Sequence, residues 1–261
     1  MCRLLGLVAN KPVNFKFSLE RFREFASRNR DGWGVGWYCE KNKEPLIEKE
    51  AKEATISEKY TSTFHVNSCI FIAHVRYKTF GEPKVENTHP FAFKNWLFAH
   101  NGSICEQDEL YLAESLVELL KGDTDSEKLF LYLIQDINNE SEINQIIDSL
   151  VNRITELKKF KYSSLNFILS NGEYLIAYRD AISNLDYYSL YYLKRDYDSP
   201  AISYLSPETK ALIDLKLARD EKAIIVCSEK LTRDEEWKCL SNGEMLVGHA
   251  GDLDCRIIKW K

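Results

Sequence analysis

Cys2, Arg76, Asn101-Gly102 and Asp125 have the residue types to act together on one small molecule. Cys2 follows the initiator in Met1-Cys2-Arg3-Leu4-Leu5-Gly6. Cysteine is small enough for methionine aminopeptidase to remove Met1, which leaves a terminal residue carrying both a thiol and a free α-amine. An α-amine has a pKa of roughly 7.7–8.0, so near neutral pH part of it is an unprotonated base. A nucleophile served by its own amine needs no separate histidine. Cysteine also reaches position 2 by chance, so this assignment depends on the rest of the chain.

Arg76 ends the run Ala73-His74-Val75-Arg76. Its guanidinium could fork onto a carboxylate; the alternative is an ordinary surface ion pair. In Ala99-His100-Asn101-Gly102, the Asn101 amide and the Gly102 backbone N–H could both point at a developing oxyanion, although Asn-Gly could equally form a plain turn. Asp125, in Thr124-Asp125-Ser126-Glu127, could grip an ammonium or simply cap a helix. A nucleophile with a base, oxyanion donors, a carboxylate anchor and an ammonium anchor match a free α-amino acid with a side-chain carbonyl. Glutamine or a γ-glutamyl compound would use all of them. Glycines 32, 34 and 36 cluster in Asp31-Gly32-Trp33-Gly34-Val35-Gly36-Trp37 and point to close backbone approach. With no Lys-Ser/Thr and no helix after it, this run is not a phosphate loop.

The elements that must hold these groups are legible from periodicity. Residues 4–9 read as a strand directly after the nucleophile, and 32–38 and 69–77 as further strands. Ser18 is the expected N-cap of a helix through Leu19, Phe22, Phe25 and Ala26. Helical periodicity covers 109–120, 126–137 and 142–159. Beyond Tyr162 the pattern turns to strands at 165–169 and 174–178, joined by an Asn-Gly hairpin turn, and then at 188–193, 223–227, 244–248 and 256–260. Strands, helices and strands again imply layered sheets with helices packed outside.

The chain has 261 residues, 44% hydrophobic and 29% charged, with a net charge of −5. It therefore reads as one globular domain without a nucleic-acid footprint. No apolar run approaches the roughly 20 residues of a membrane span, and no signal-peptide pattern opens the chain. The seven cysteines include no C-x-x-C pair, so neither a zinc site nor a disulfide framework is expected, and a reducing, cytoplasmic setting fits best.

The motifs DGWG (31–34), AHVR (73–76), ENTHPF (86–91), AHNG (99–102) and TDSE (124–127), after the Met-Cys opening, resemble the class II glutamine amidotransferases, which are N-terminal-nucleophile (Ntn) hydrolases. Val226-Cys227-Ser228-Glu229-Lys230-Leu231, Trp237 and Gly243-Glu244 resemble the stand-alone branch. The resemblance implies a four-layer αββα sandwich of two stacked, mainly antiparallel sheets with outer helices. It also implies a γ-glutamyl thioester on Cys2, an oxyanion hole of Asn101 and Gly102, and substrate contacts from Arg76, Asp125 and Thr79. No cofactor or metal is implied. Asn29 stands where stand-alone relatives often carry histidine, and Tyr77-Lys78 is untypical; both bear on substrate preference.

The expectation is a single amidotransferase domain over 2–261 with no acceptor domain, releasing ammonia or an amine or passing ammonia to a separate subunit. No nucleic-acid or membrane partner is expected. Two alternatives stay open: an Ntn acylase of the bile-salt or penicillin type, and a catalytically silent binding protein, which retention of Met1 would favour.

Overall fold

The computed structural model describes residues 2–39, 43–79, 81–138, 142–196 and 220–260. Met1, whose removal is expected above, lies outside them. The strands are β1 (Arg3–Asn14), β2 (Trp33–Tyr38), β3 (Pro45–Glu50), β4 (Asn67–Val75), β5 (Phe91–Phe93), β6 (Trp96–Ile104) and β7 (Tyr162–Ser170). They continue with β8 (Tyr174–Arg179), β9 (Tyr191–Asp196), β10 (Lys222–Cys227), β11 (Lys238–Cys239), β12 (Glu244–His249) and β13 (Cys255–Lys259). The helices are α1 (Lys16–Arg23), α2 (Glu58–Ser62), α3 (Glu114–Val117), α4 (Asp125–Ile134) and α5 (Ile143–Leu157).

Among the described residues the strands form two antiparallel sheets, in the orders β11-β9-β10-β1-β4-β2-β3 and β13-β12-β8-β7-β6-β5. Alternation along the strands sorts side chains into three apolar layers. On β1, Leu5, Leu7 and Ala9 pack outward with Leu19 and Phe22 of α1, while Leu4 and Val8 face the other sheet. On β6, Phe98 packs outward against α4, and Leu97 and Ala99 meet β1 between the sheets. Helix α5 buries Ile146, Ile147, Leu150, Ile154 and Leu157 on one face, and Glu142 with Gln145 forms its capping box. The architecture is the expected four-layer sandwich, with helices on both outer faces of two stacked sheets.

Several local expectations are corrected. Ser18 is not a cap: α1 starts at Lys16, and Ser18 is buried inside it. The helix expected over 109–120 shrinks to Glu114–Val117, because its apolar residues are split between the core (Leu110, Leu112) and solvent (Tyr111, Val117). Asn101-Gly102 is no turn but the interior of β6, paired with Asn166 and Leu165. Polar and glycine residues interrupt the apolar alternation there and hide the strand.

The glycine cluster behaves as expected. A Cβ on Gly34 would lie 2.1 Å from the His89 carbonyl oxygen, and one on Gly36 would lie 2.9 Å from Pro90. Strand β2 therefore docks backbone-first on the His89–Pro90 segment, which Lys49 also grips by donating to the Thr88 carbonyl at 2.7 Å. Among the described residues no helix is long and apolar enough to cross a membrane.

Candidate active site

The alternation that sends Leu4 between the sheets sends Cys2 the same way, at the end of β1. The start of the strand is pinned by the 227–229 segment. Leu4 N–H donates to Ser228 Oγ at 2.9 Å, the Ser228 N–H donates to the Leu4 carbonyl at 3.0 Å, and Arg3 pairs with Glu229. Arg3 also donates to the Cys2 carbonyl at 3.1 Å. Cys2 Sγ lies 3.4 Å from the Tyr77 backbone nitrogen, whose N–H it accepts. Burial pushes the thiol pKa up; the Tyr77 backbone and the Arg76 charge pull it down, and Asp125 pushes it up again. The net effect is a rise.

Arg76 follows β4 and is 3% exposed. The register of β2 on β4 brings the DGWG and AHVR motifs together, with Trp33 opposite Val75. Arg76 N–H donates to the Gly32 carbonyl at 2.7 Å, and Asp31 accepts the Lys78 N–H at 2.7 Å. The guanidinium donates to the carbonyls of Gly81 at 3.0 Å and Glu82 at 3.1 Å. Thr79 is exposed on this same loop.

Asn101 shares the alternation of Leu97 and Ala99, so it points between the sheets at the end where Cys2 lies. Its Nδ2 is buried and has no hydrogen-bond partner among the described residues. A buried amide donor left in that state costs about 1–3 kcal/mol, which an incoming oxygen can recover. Gly102 sits so close to β7 that a Cβ would lie 1.9 Å from the Ser164 carbonyl oxygen. Beyond Phe98, β6 has β7 on one side and no described strand on the other, which leaves an open edge.

Asp125 is 5% exposed at the first turn of α4. It is not the N-cap: Thr124 takes that role by accepting the Glu127 N–H. One Asp125 oxygen accepts the Ile104 N–H at 2.7 Å, so the carboxylate is tied to the end of β6. Its charge and that of Arg76 both act on the Cys2 thiol, in opposite directions.

No histidine is arranged to serve as base. His100 has Nε2 3.1 Å from the Ser164 carbonyl and Nδ1 3.0 Å from Ser126 Oγ; the carbonyl can only accept, so Nε2 carries the proton. His74 and His89 lie buried with ring centroids 4.2 Å apart, and burial drives both toward the neutral form. Among the described residues no group of three or more His, Cys, Asp or Glu could hold a metal ion.

Two supporting residues escaped the motif reading. Asn166, the strand partner of Asn101, donates to the Tyr188 carbonyl at 2.9 Å and accepts the Asp180 N–H at 3.0 Å. Buried Arg179 donates to the carbonyls of Leu185, Tyr188 and Leu240 and so fixes the loop that carries Tyr187 beneath Arg3. Polar residues interrupting apolar strands were the available signal for both.

The profile of the glutamine amidotransferases class-II matches residues 1–259. The Methanocaldococcus jannaschii protein MJ1515 is 33% identical over 267 aligned residues, covering 97% of this chain and 70% of its own. Among solved structures, a glutamine aminotransferase class-II domain protein from Silicibacter pomeroyi superposes with a TM-score of 0.63 at 23% identity, covering 99% of each chain. Glutamine phosphoribosylpyrophosphate amidotransferase from B. subtilis gives a TM-score of 0.63 at 17% identity, over 100% of this chain and 49% of that one. With these matches and a sandwich that puts Cys2, Arg76, Asn101 and Asp125 at one end, the chain belongs to the class II glutamine amidotransferases.

Proposed function

We propose that the protein hydrolyses the side-chain amide of glutamine, or of a γ-glutamyl compound, through a thioester on Cys2. The α-amine of processed Cys2 takes the thiol proton as sulfur attacks the γ-carbonyl. It then returns that proton to the departing nitrogen as the C–N bond breaks. Water cleaves the thioester, freeing the acid and regenerating the thiol. Asn101 Nδ2 and the Gly102 N–H receive the oxyanion in both tetrahedral intermediates. Arg76 holds the α-carboxylate, Asp125 the α-ammonium, and Thr79 adds a contact from the loop.

The observation that carries this reading is the buried Asn101 amide, unpartnered among the described residues, at the end of the inter-sheet layer where Cys2 precedes β1. The buried Asp125 carboxylate favours an amino-acid substrate over the apolar acyl group of a bile-salt or penicillin acylase, which has no ammonium to bind. Ammonia is either released or handed to a separate acceptor subunit.

Release of glutamate with ammonia from glutamine, or with the amine from γ-glutamyl amides, tests the proposal, using protein shown by mass to lack Met1. Wild-type turnover that disappears in Cys2→Ala with the fold intact is the expected result. Full activity in Cys2→Ala removes Cys2 from the reaction.

A further inference from the structure

Arg76 follows β4 in one sheet, whereas Asp125 opens a helix packed on the other, so no single element sets their separation. The side chain of Asn87 links the segments leading to both. Its Nδ2 donates to the Glu82 carbonyl at 3.0 Å and to Asp123 Oδ1 at 2.5 Å. Its Oδ1 accepts the Asp123 N–H at 3.0 Å. The same Glu82 carbonyl accepts from Arg76 Nη1 at 3.1 Å, so one oxygen joins the guanidinium to the Asn87 amide. On the other side, Asp123 lies two residues before Asp125. Glu127 of α4 braces that turn by accepting the Gly122 N–H at 2.7 Å.

The backbone around Asn87 is shaped to admit it. A Cβ on Gly81 would lie 2.6 Å from Asn87 Nδ2 and 2.7 Å from Asp123 Oδ1, and one on Gly122 would lie 2.5 Å from Asn87 Oδ1. Gly81 also takes a φ of 66°, in the left-handed region that glycine accepts without strain. Asn87 itself is 0% exposed. A primary amide carries two donors and an acceptor on one rigid plane, so it can bond both loops at once; a carboxylate here would set acceptor against acceptor.

We propose that Asn87 is a positioning residue that fixes the distance between Arg76 and Asp125, and so selects substrates bearing both an α-carboxylate and an α-ammonium. The proposal rests on the substrate-anchoring roles given to those two residues above.

The test compares wild type, Asn87→Ala and Asp123→Ala for glutamine KM and kcat, alkylation of Cys2 by iodoacetamide, and melting temperature. Iodoacetamide has neither α-group, so its rate reports the thiol alone. For Asn87→Ala, KM is expected to rise about tenfold or more, with kcat and alkylation within about threefold of wild type. The Asp123 side chain is 58% exposed, so Asp123→Ala is expected to preserve the fold while removing one of the two acceptors of Asn87 Nδ2; its KM is expected to rise about threefold. Unchanged KM in a folded variant overturns the proposal, as does a loss of kcat and alkylation in step with the rise in KM. A wild type that turns over neither glutamine nor any γ-glutamyl amide overturns the proposed function, and this proposal with it, before any variant is compared.

Discussion

Asn101 and Asp125 are both buried polar residues, yet the structure treats them differently. The Asp125 carboxylate already accepts the Ile104 N–H, whereas Asn101 Nδ2 has no partner among the described residues. A donor in that state is worth most when negative charge develops in front of it. Asn101→Ala is therefore expected to lower kcat by about 10²–10³ with a smaller change in KM, measured by steady-state glutamate release. Asp125→Asn keeps the shape and the acceptor for Ile104 but loses the charge, so it should chiefly raise KM for glutamine. A KM equal to wild type would leave Asp125 with a structural role only. Both residues are legible as candidates in the sequence because each chemical group has a separate motif. Asn166 and Arg179 are not, since their work is done through backbone carbonyls of a loop that no spacing rule connects to them.

The elements explain why residues far apart in sequence meet. Alternation with period two puts Cys2 on the inter-sheet side of β1 with Leu4, and Asn101 on the inter-sheet side of β6 with Ala99. Strand β2 then closes on the His89–Pro90 segment through Gly34 and Gly36. Gly34→Ala would drive a Cβ to 2.1 Å from the His89 carbonyl oxygen, a clash with backbone that no rotamer relieves. Its expected effect is a loss of stability of about 1–3 kcal/mol or more, read as a lower urea midpoint. Wild-type stability in that variant would contradict the docking described here. Long regular patterns such as 142–159 and the 165–178 hairpin were legible because each carries its full period in its own residues. Strand β6 was not, since His100, Asn101 and Gly102 break its apolar pattern where the chemistry sits. The helix expected over 109–120 failed for the opposite reason: its residues have helical spacing, but tertiary contacts draw Leu110 and Leu112 to the core without a continuous helix.

At the scale of the molecule, the fold buries three histidines and holds them neutral. Burial, and then the charge of Arg76, pushes His74 down to about 3 from an ordinary value of 6.5. Burial also lowers His89 and His100, the latter against an opposing pull from Asp125. Below pH 6.5 the unfolded chain takes up protons that the folded chain refuses. The stability linked to His74 is thus complete above that pH and is lost progressively as pH falls toward 3. Within the window the slope is about 1.4 kcal/mol per pH unit for one such histidine. Tm should fall between pH 7 and pH 5, and His74→Gln should flatten that fall; a Tm independent of pH over this range would contradict the neutral, buried placement. The central claim is that this sandwich presents a processed Cys2 to a glutamine-shaped pocket. Intact-protein mass after incubation with 6-diazo-5-oxo-norleucine, a glutamine mimic that alkylates the nucleophile, tests it most directly. The account predicts loss of Met1 and one adduct, mapped by peptide sequencing to Cys2 and suppressed by excess glutamine. Protein lacking Met1 that stays unlabelled, or an adduct on a different cysteine, would contradict it.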